Sequence, residues 1–134
     1  LLAADRFGRT DRGRGTRPRH GRVVHRAEAR ARGLEIKVNT MPLAATAKGM
    51  VHGQGGMVKV IAAADGAGSH ATGPVLGVHL VGPHVSEMIA EGQLIVAWDA
   101  EPSDVAAHIH AHPTLSEAVG ETFLTLAGRG LHQH

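Results

Sequence analysis

The chain has 134 residues and a formal net charge of +2, with 18 Gly, two Phe, one Trp, no Tyr and no Cys. This length fits one domain and leaves no room for two nucleotide-binding domains beside it. The absence of cysteine excludes a disulfide framework, a thiolate metal site and a redox thiol on this chain. No apolar run reaches the ~20 residues of a membrane helix, and the chain does not open with a signal peptide. We therefore expect a cytoplasmic protein with no membrane partner.

The basic residues are concentrated at the start of the chain. Residues 1–32 contain ten of the fourteen Lys and Arg residues but three of the twelve acidic ones. Residues 1–26 are rich in Arg and Gly without helical or strand periodicity, which predicts a disordered leader. A nucleic-acid arm would need aromatic side chains among its arginines for base stacking, and Phe7 is the single one there. The composition favours a leader at 1–26 with no nucleic-acid partner, followed by a domain at 27–134.

The rest of the chain predicts strands followed by helices. In chain order, we expect a helix at 26–32, strands at 34–38, 57–61 and 75–81, and helices at 85–98, 103–109 and 115–126. Gly33 is a suitable C-cap for the first helix, and the Gly- and Ser-rich connection at 65–74 predicts a long-looped hairpin. Strands with segregated helices indicate an α+β domain, in which a mainly antiparallel β-sheet has its helices packed on one side.

Three histidines alternate as His108, His110 and His112 and are followed directly by a proline. Because the residue before a proline is disfavoured in the helical region, His112 is expected to be extended. Thr114 and Glu117 fit a capping box with Thr114 as the N-cap of the last helix. A first-turn carboxylate could also reach the imidazole, fix its tautomer and raise its pKa. The pattern leaves open whether Glu117 caps the helix, orients His112 as a general acid–base, or does both.

A metal site is the alternative interpretation of the same histidines. If His108, His110 and His112 lay on one strand, its two-residue period would put three imidazoles on one face, enough for a catalytic zinc ion. No other His or carboxylate motif supplies an evident fourth ligand, and short His-x-His patterns arise by chance in a chain with 11 histidines. We therefore expect no metal, and a His-rich metal-binding protein stays as an alternative function.

The segment from His110 to Ala118 reads His-Ala-His-Pro-Thr-Leu-Ser-Glu-Ala. It resembles the active-site stretch of the dihydrolipoamide dehydrogenases, in the pyridine nucleotide–disulfide oxidoreductase family. The similarity runs from about residue 27 to residue 130 and includes 28–33, 42–45, 56–62, 76–83 and 85–89. The resemblance implies the C-terminal dimerisation domain of that family, also called the interface domain, with residues 1–26 in place of its first strand.

The resemblance also implies roles for single residues. His112 corresponds to the general base of the family, which reaches across the dimer to the flavin and redox-disulfide site of the other subunit. Glu117 corresponds to the carboxylate that orients this base, and His110, Pro113 and Thr114 occupy supporting positions in the motif.

The resemblance implies a function that needs other domains. In the full-length family enzymes, FAD, NAD and the cysteine pair belong to domains that this chain lacks, so we expect it to bind neither cofactor and to be inactive alone. The implied activity is NAD-linked oxidation of dihydrolipoamide carried by a partner protein, with a part in cell redox homeostasis. It would act in a homodimer or with an intact family subunit. A stand-alone dimerisation module is the alternative.

Overall fold

The computed structural model describes residues 25–65 and 72–130. Its helices are α1 (Arg26–Ala31), α2 (Ala47–His52), α3 (Val85–Ala97), α4 (Pro102–Ala106) and α5 (Glu117–Leu126), and its strands are β1 (Ile36–Pro42), β2 (Met57–Ala64) and β3 (Thr72–Val81). A 3-10 turn at Leu43–Ala45 joins β1 to α2. Residues 1–24 of the predicted leader and most of the predicted hairpin loop lie outside the described residues. No helix in the described part is both long and apolar enough to cross a membrane.

The three strands form an antiparallel sheet in the order β1–β2–β3. The pairing of β1 with β2 runs from Ile36 opposite Ala63 to Pro42 opposite Met57. Strands β2 and β3 pair as an antiparallel hairpin, and their register shifts between Ile61 and Ala64 of β2. The predicted α+β class with an antiparallel sheet is confirmed.

Successive side chains of β2 point to opposite faces of the sheet. Val60 belongs to the main core, which the long helices α3 and α5 complete, whereas Ile61 packs with Ala29 of α1 in a separate cluster. The two long helices therefore cover one face, and the short α1 covers part of the other.

Helix α5 is the centre of the main core. Its Phe123 and Val119 are 0% and 1% exposed and pack among aliphatic side chains from the strands and the other helices. The side-chain amide of Asn39 on β1 donates a hydrogen bond to the Thr122 carbonyl, with an N–O distance of 3.3 Å. These contacts fix α5 on the sheet, and they therefore fix the position of its first residue, Glu117.

The sequence patterns missed helix α2. Its N-terminus carries a recognisable signal, because the hydroxyl of Thr46 accepts a hydrogen bond from the backbone N–H of Gly49 at 3.1 Å. Gly49 also lets α2 approach the 3-10 turn, since a Cβ atom there would lie 1.8 Å from the Leu43 carbonyl oxygen. Six residues are too few to show a helical apolar period, so propensity and periodicity gave no prediction.

Candidate active site

The connection between α4 and α5, residues 107–116, carries the three alternating histidines. Helix α4 ends at Ala106, earlier than the predicted 109, and the chain from there to α5 is irregular. The peptide bond between His112 and Pro113 is cis. Helix α5 begins at Glu117 with Ser116 as its N-cap, so the prediction of Thr114 as the N-cap is wrong.

Glu117 nevertheless makes one of the two bonds of the expected capping box. Its Oε2 accepts a hydrogen bond from the backbone N–H of Thr114 at 2.9 Å. The hydroxyl of Thr114 donates to the carbonyl of Ala111 instead of capping the helix, and it lies 2.9 Å from the hydroxyl of Ser116. The turn is therefore closed by the glutamate side chain, which leaves the other carboxylate oxygen for a second partner.

That second partner is His112. Its Nδ1 lies 2.7 Å from Oε1 of Glu117. The His112 side chain is 71% exposed, whereas that of Glu117 is 21% exposed. Glu117 thus acts as cap and as histidine partner at once, and Nε2 of His112 is the ring nitrogen left to exchange a proton with an incoming group.

The hydrogen bonds also decide the ionisation of Glu117. The Thr114 backbone N–H and the His112 imidazole lower the pKa of the Glu117 carboxyl, against the opposing effect of burial. Glu117 is therefore a carboxylate at neutral pH, with one oxygen bonded to the Thr114 backbone and the other to the His112 ring.

A second carboxylate–imidazole pair lies next to the first. Nε2 of His110 lies 2.8 Å from Oε1 of Glu91 on α3. The His110 side chain is 12% exposed, and its ring lies against α5 at Gly120, where a Cβ atom would be 2.5 Å from Nδ1. The hydrogen bond to Glu91 raises the pKa of His110, burial opposes this, and the charges of Glu91 and Glu117 add to the rise.

The strand required by the zinc alternative is not formed. His108 is exposed in the irregular connection, while His110 and His112 bind different carboxylates. Within residues 25–65 and 72–130, no group of three or more His, Cys, Asp or Glu side chains is placed to hold a metal ion. The alternation of histidines in the sequence therefore corresponds to two separate ion pairs.

A cleft of about 510 Å³ lies beside the α4–α5 connection. Residues from α2, from the start of α3 and from the connection line it: Lys48, His52, His84, Glu87, Met88, Glu91 and Pro113 to Ser116. The rings of His52 and His84 meet there, with centroids 5.1 Å apart. Sequence reasoning missed Glu91, because a single glutamate on a helix 19 residues from His110 carries no local signal.

The two ion pairs predict a pH window for stability. Glu117 has a lowered pKa in the folded chain, so its contribution is present above its ordinary pKa and is lost as the pH falls through the folded value. His110 has a raised pKa, so its contribution is present below its ordinary pKa and is lost as the pH rises through the folded value. Both contributions should be complete between the ordinary values of 4.5 and 6.5.

Thermal unfolding midpoints across the acid and alkaline range will check this window. The variant His110→Gln should mainly weaken the loss of stability on the alkaline side. It should weaken the loss on the acid side only slightly, because the charge of His110 is the smallest of the effects that lower the pKa of Glu117. Glu117→Gln should mainly weaken the loss on the acid side. Parallel pH curves for the wild type and His110→Gln would contradict the assignment of the alkaline loss to this histidine.

Comparison with known proteins identifies the family of this domain. The family model for the pyridine nucleotide-disulphide oxidoreductase dimerisation domain matches residues 16–123, and the chain belongs to this family. The predicted resemblance is thereby confirmed. The family is that of the FAD- and NAD-dependent disulfide oxidoreductases.

Curated relatives place the chain within that family more narrowly. It is 43% identical over 106 residues to the dihydrolipoyl dehydrogenase of Bacillus subtilis, which covers 78% of this chain and 21% of that protein. It is 41% identical over 104 residues to the dihydrolipoyl dehydrogenase of Mycobacterium tuberculosis strain H37Rv, covering 75% of this chain and 21% of that protein. The dihydrolipoamide dehydrogenase of Chaetomium thermophilum is 35% identical over 101 residues, covering 75% and 19%. The chain thus spans about a fifth of the length of these relatives.

Proposed function

We propose that this chain supplies the acid–base histidine of a dihydrolipoyl dehydrogenase dimer, with His112 as the base and Glu117 as the carboxylate that orients it. The observation that carries the proposal is the 2.7 Å contact between His112 Nδ1 and Glu117 Oε1, made by an imidazole that is itself 71% exposed. We infer the reaction from the names of the relatives, several of which are dihydrolipoyl dehydrogenases.

The proton chemistry follows from the two ring nitrogens of His112. With Nδ1 bonded to Glu117, a neutral imidazole can accept the proton of a dihydrolipoamide thiol at Nε2. The thiolate that remains is the nucleophile for disulfide exchange. The Glu117 carboxylate then stabilises the imidazolium through Nδ1–H, and general base catalysis of this kind contributes about 10²- to 10⁴-fold.

The redox groups are assigned to other domains. In the family enzymes, FAD and NAD would supply the redox chemistry. The described residues of this chain do not fit either cofactor, because the sheet is antiparallel and lacks the strand–glycine loop–helix unit that holds a dinucleotide. The chain also contains no cysteine. We therefore derive no step through either cofactor and expect the 134-residue chain to be inactive by itself.

The exposure of His112 favours action across a subunit interface. A ring that is 71% exposed in the single chain is accessible to a substrate group that another subunit presents. The partners we propose are a second family subunit, as the dimerisation domain implies, and a protein that carries lipoamide. The second candidate function is a stand-alone module that dimerises without catalysis, which the match to a dimerisation domain alone would support.

A chimera tests the proposal. Residues 27–130 of this chain would replace the matching region of the Bacillus subtilis relative, and NAD-linked oxidation of dihydrolipoamide would be assayed. We expect activity in the chimera and none in the 134-residue chain. The unmodified relative is the control. A dimeric, flavin-containing chimera without activity would overturn the proposed base and leave the dimerisation module.

A further inference from the structure

The first part of the α4–α5 connection, residues 107–113, is exposed except at His110. His110 is 12% exposed at its side chain, whereas Ile109 is 97% exposed and residues 108, 111, 112 and 113 are exposed as well. An irregular stretch of exposed residues has few contacts of its own, so its conformation depends on the points at which it is attached. His110 is such a point, two residues before the proposed base.

The His110 ring is held between two helices. From α3, Glu91 binds its Nε2 at 2.8 Å. From α5, the backbone at Gly120 lies so close to the ring that a Cβ atom there would stand 2.5 Å from Nδ1. Helices α3 and α5 are themselves fixed by core residues such as Ile95 and Phe123. The ring therefore joins the connection to two rigid elements.

His110 lies close to the proposed base, His112, and its charge interacts with the same carboxylate, Glu117. Glu117 and Gly120 are three residues apart on α5 and lie on the same face of the helix, so His110 and His112 both lie against the first turns of α5. The carboxylates whose charge acts on His110 are Glu91 from α3 and Glu117 from α5, and the charge of His110 in turn favours the ionised form of Glu117. Carboxylate and imidazole thus alternate in the order Glu91, His110, Glu117, His112.

We propose that Glu91 is a positioning residue, which holds the α4–α5 connection through His110 and thereby keeps His112 in register with Glu117. An effect of Glu91 on turnover rests on the proposed function of His112 as the base. An effect of Glu91 on the position of the His112 ring does not depend on that function. Loss of the Glu91 carboxylate removes the hydrogen-bonded charge from a mostly buried imidazole. The ring then becomes neutral at a lower pH, and its attachment to α3 is weakened to at most an uncharged hydrogen bond.

The variant Glu91→Gln tests the positioning role, and Glu87→Gln is the matched control. Glu87 lies one turn earlier on α3 and lines the same cleft. In the 134-residue chain, ¹⁵N-resolved imidazole resonances followed against pH should show the pKa of His110 falling in Glu91→Gln but not in Glu87→Gln. The Nδ1 resonance of His112 should also lose the shift that its bond to Glu117 causes.

The second measurement uses the chimera described above. Because a displacement of about 1 Å can cost as much as 10²-fold in rate, we expect Glu91→Gln to lower kcat and kcat/KM together by roughly ten- to a hundredfold, and Glu87→Gln to leave both unchanged. Identical His112 resonances and kcat values in the two variants would overturn the positioning role. If His112→Gln keeps full turnover, the proposed function fails instead, and the His112 resonances of Glu91→Gln then decide whether Glu91 positions this ring.

Discussion

Replacing His112 by glutamine in the chimera is expected to lower kcat for dihydrolipoamide oxidation by about 10²- to 10⁴-fold, the range that a positioned general base contributes. Glutamine keeps a polar side chain of similar reach, but it cannot accept and release a proton near neutral pH. Because the base acts in the transition state, kcat and kcat/KM should fall by similar factors.

Two further variants sharpen the comparison. His108→Gln is the matched control, because His108 is an exposed histidine of the same connection, and it should leave turnover unchanged. Glu117→Gln should give a smaller loss than His112→Gln, since the base remains while its orienting carboxylate is gone. Full activity of His112→Gln beside a normal flavin content would rule out His112 as the base.

Replacing Phe123 by alanine is expected to lower the free energy of unfolding by about 3–5 kcal/mol. Phe123 is 0% exposed and is the largest fully buried side chain among the described residues. The other buried members of its core cluster are aliphatic side chains and one Met, so the cluster contains no second ring to fill the space. A domain of this size has a total stability of about 5–15 kcal/mol, and the substitution removes a large part of it.

Guanidinium unfolding at a fixed protein concentration will measure this loss, since association would otherwise shift the midpoint. Phe123→Leu keeps most of the buried apolar volume and should cost about 1.5 kcal/mol or less. Ile109→Ala removes a side chain that is 97% exposed and should change the stability by no more than about 0.5 kcal/mol. A loss in Phe123→Ala no larger than that of Ile109→Ala would contradict the central place of Phe123 in the core.

Much of the fold could be predicted from local patterns in the sequence. Alternating apolar residues at 57–61 and 75–81 predicted the two strands of the hairpin, and the structure extends them to β2 and β3. The apolar face of 85–98 predicted α3 to within one residue at its end. The strand predicted at 34–38 begins two residues later and continues to Pro42, because its second half pairs with β2, and pairing with a distant segment has no local signal.

Part of the candidate site could likewise be predicted from the local sequence, and part could not. The string from His112 to Glu117 indicated that a first-turn carboxylate could cap the last helix, contact the imidazole of an extended His112, or do both. It could not determine where the helix begins. The pattern is equally compatible with a cap at Thr114, and the structure takes Ser116 because Glu117 itself closes the turn on the Thr114 backbone.

Only the tertiary structure decided the surroundings of His110. The groups around its ring come from α3 and α5. The carboxylate hydrogen-bonded to it, that of Glu91, is 19 residues away along the chain. Which glutamate of α3 faces the connection depends on how that helix packs on the sheet. The missing side chain at Gly120 matters only because the His110 ring packs against that position. Periodicity and capping act over one or two turns of chain. They therefore indicated most of the elements and a possible His112–Glu117 contact, while the pairing of Glu91 with His110 depends on the packing of two helices.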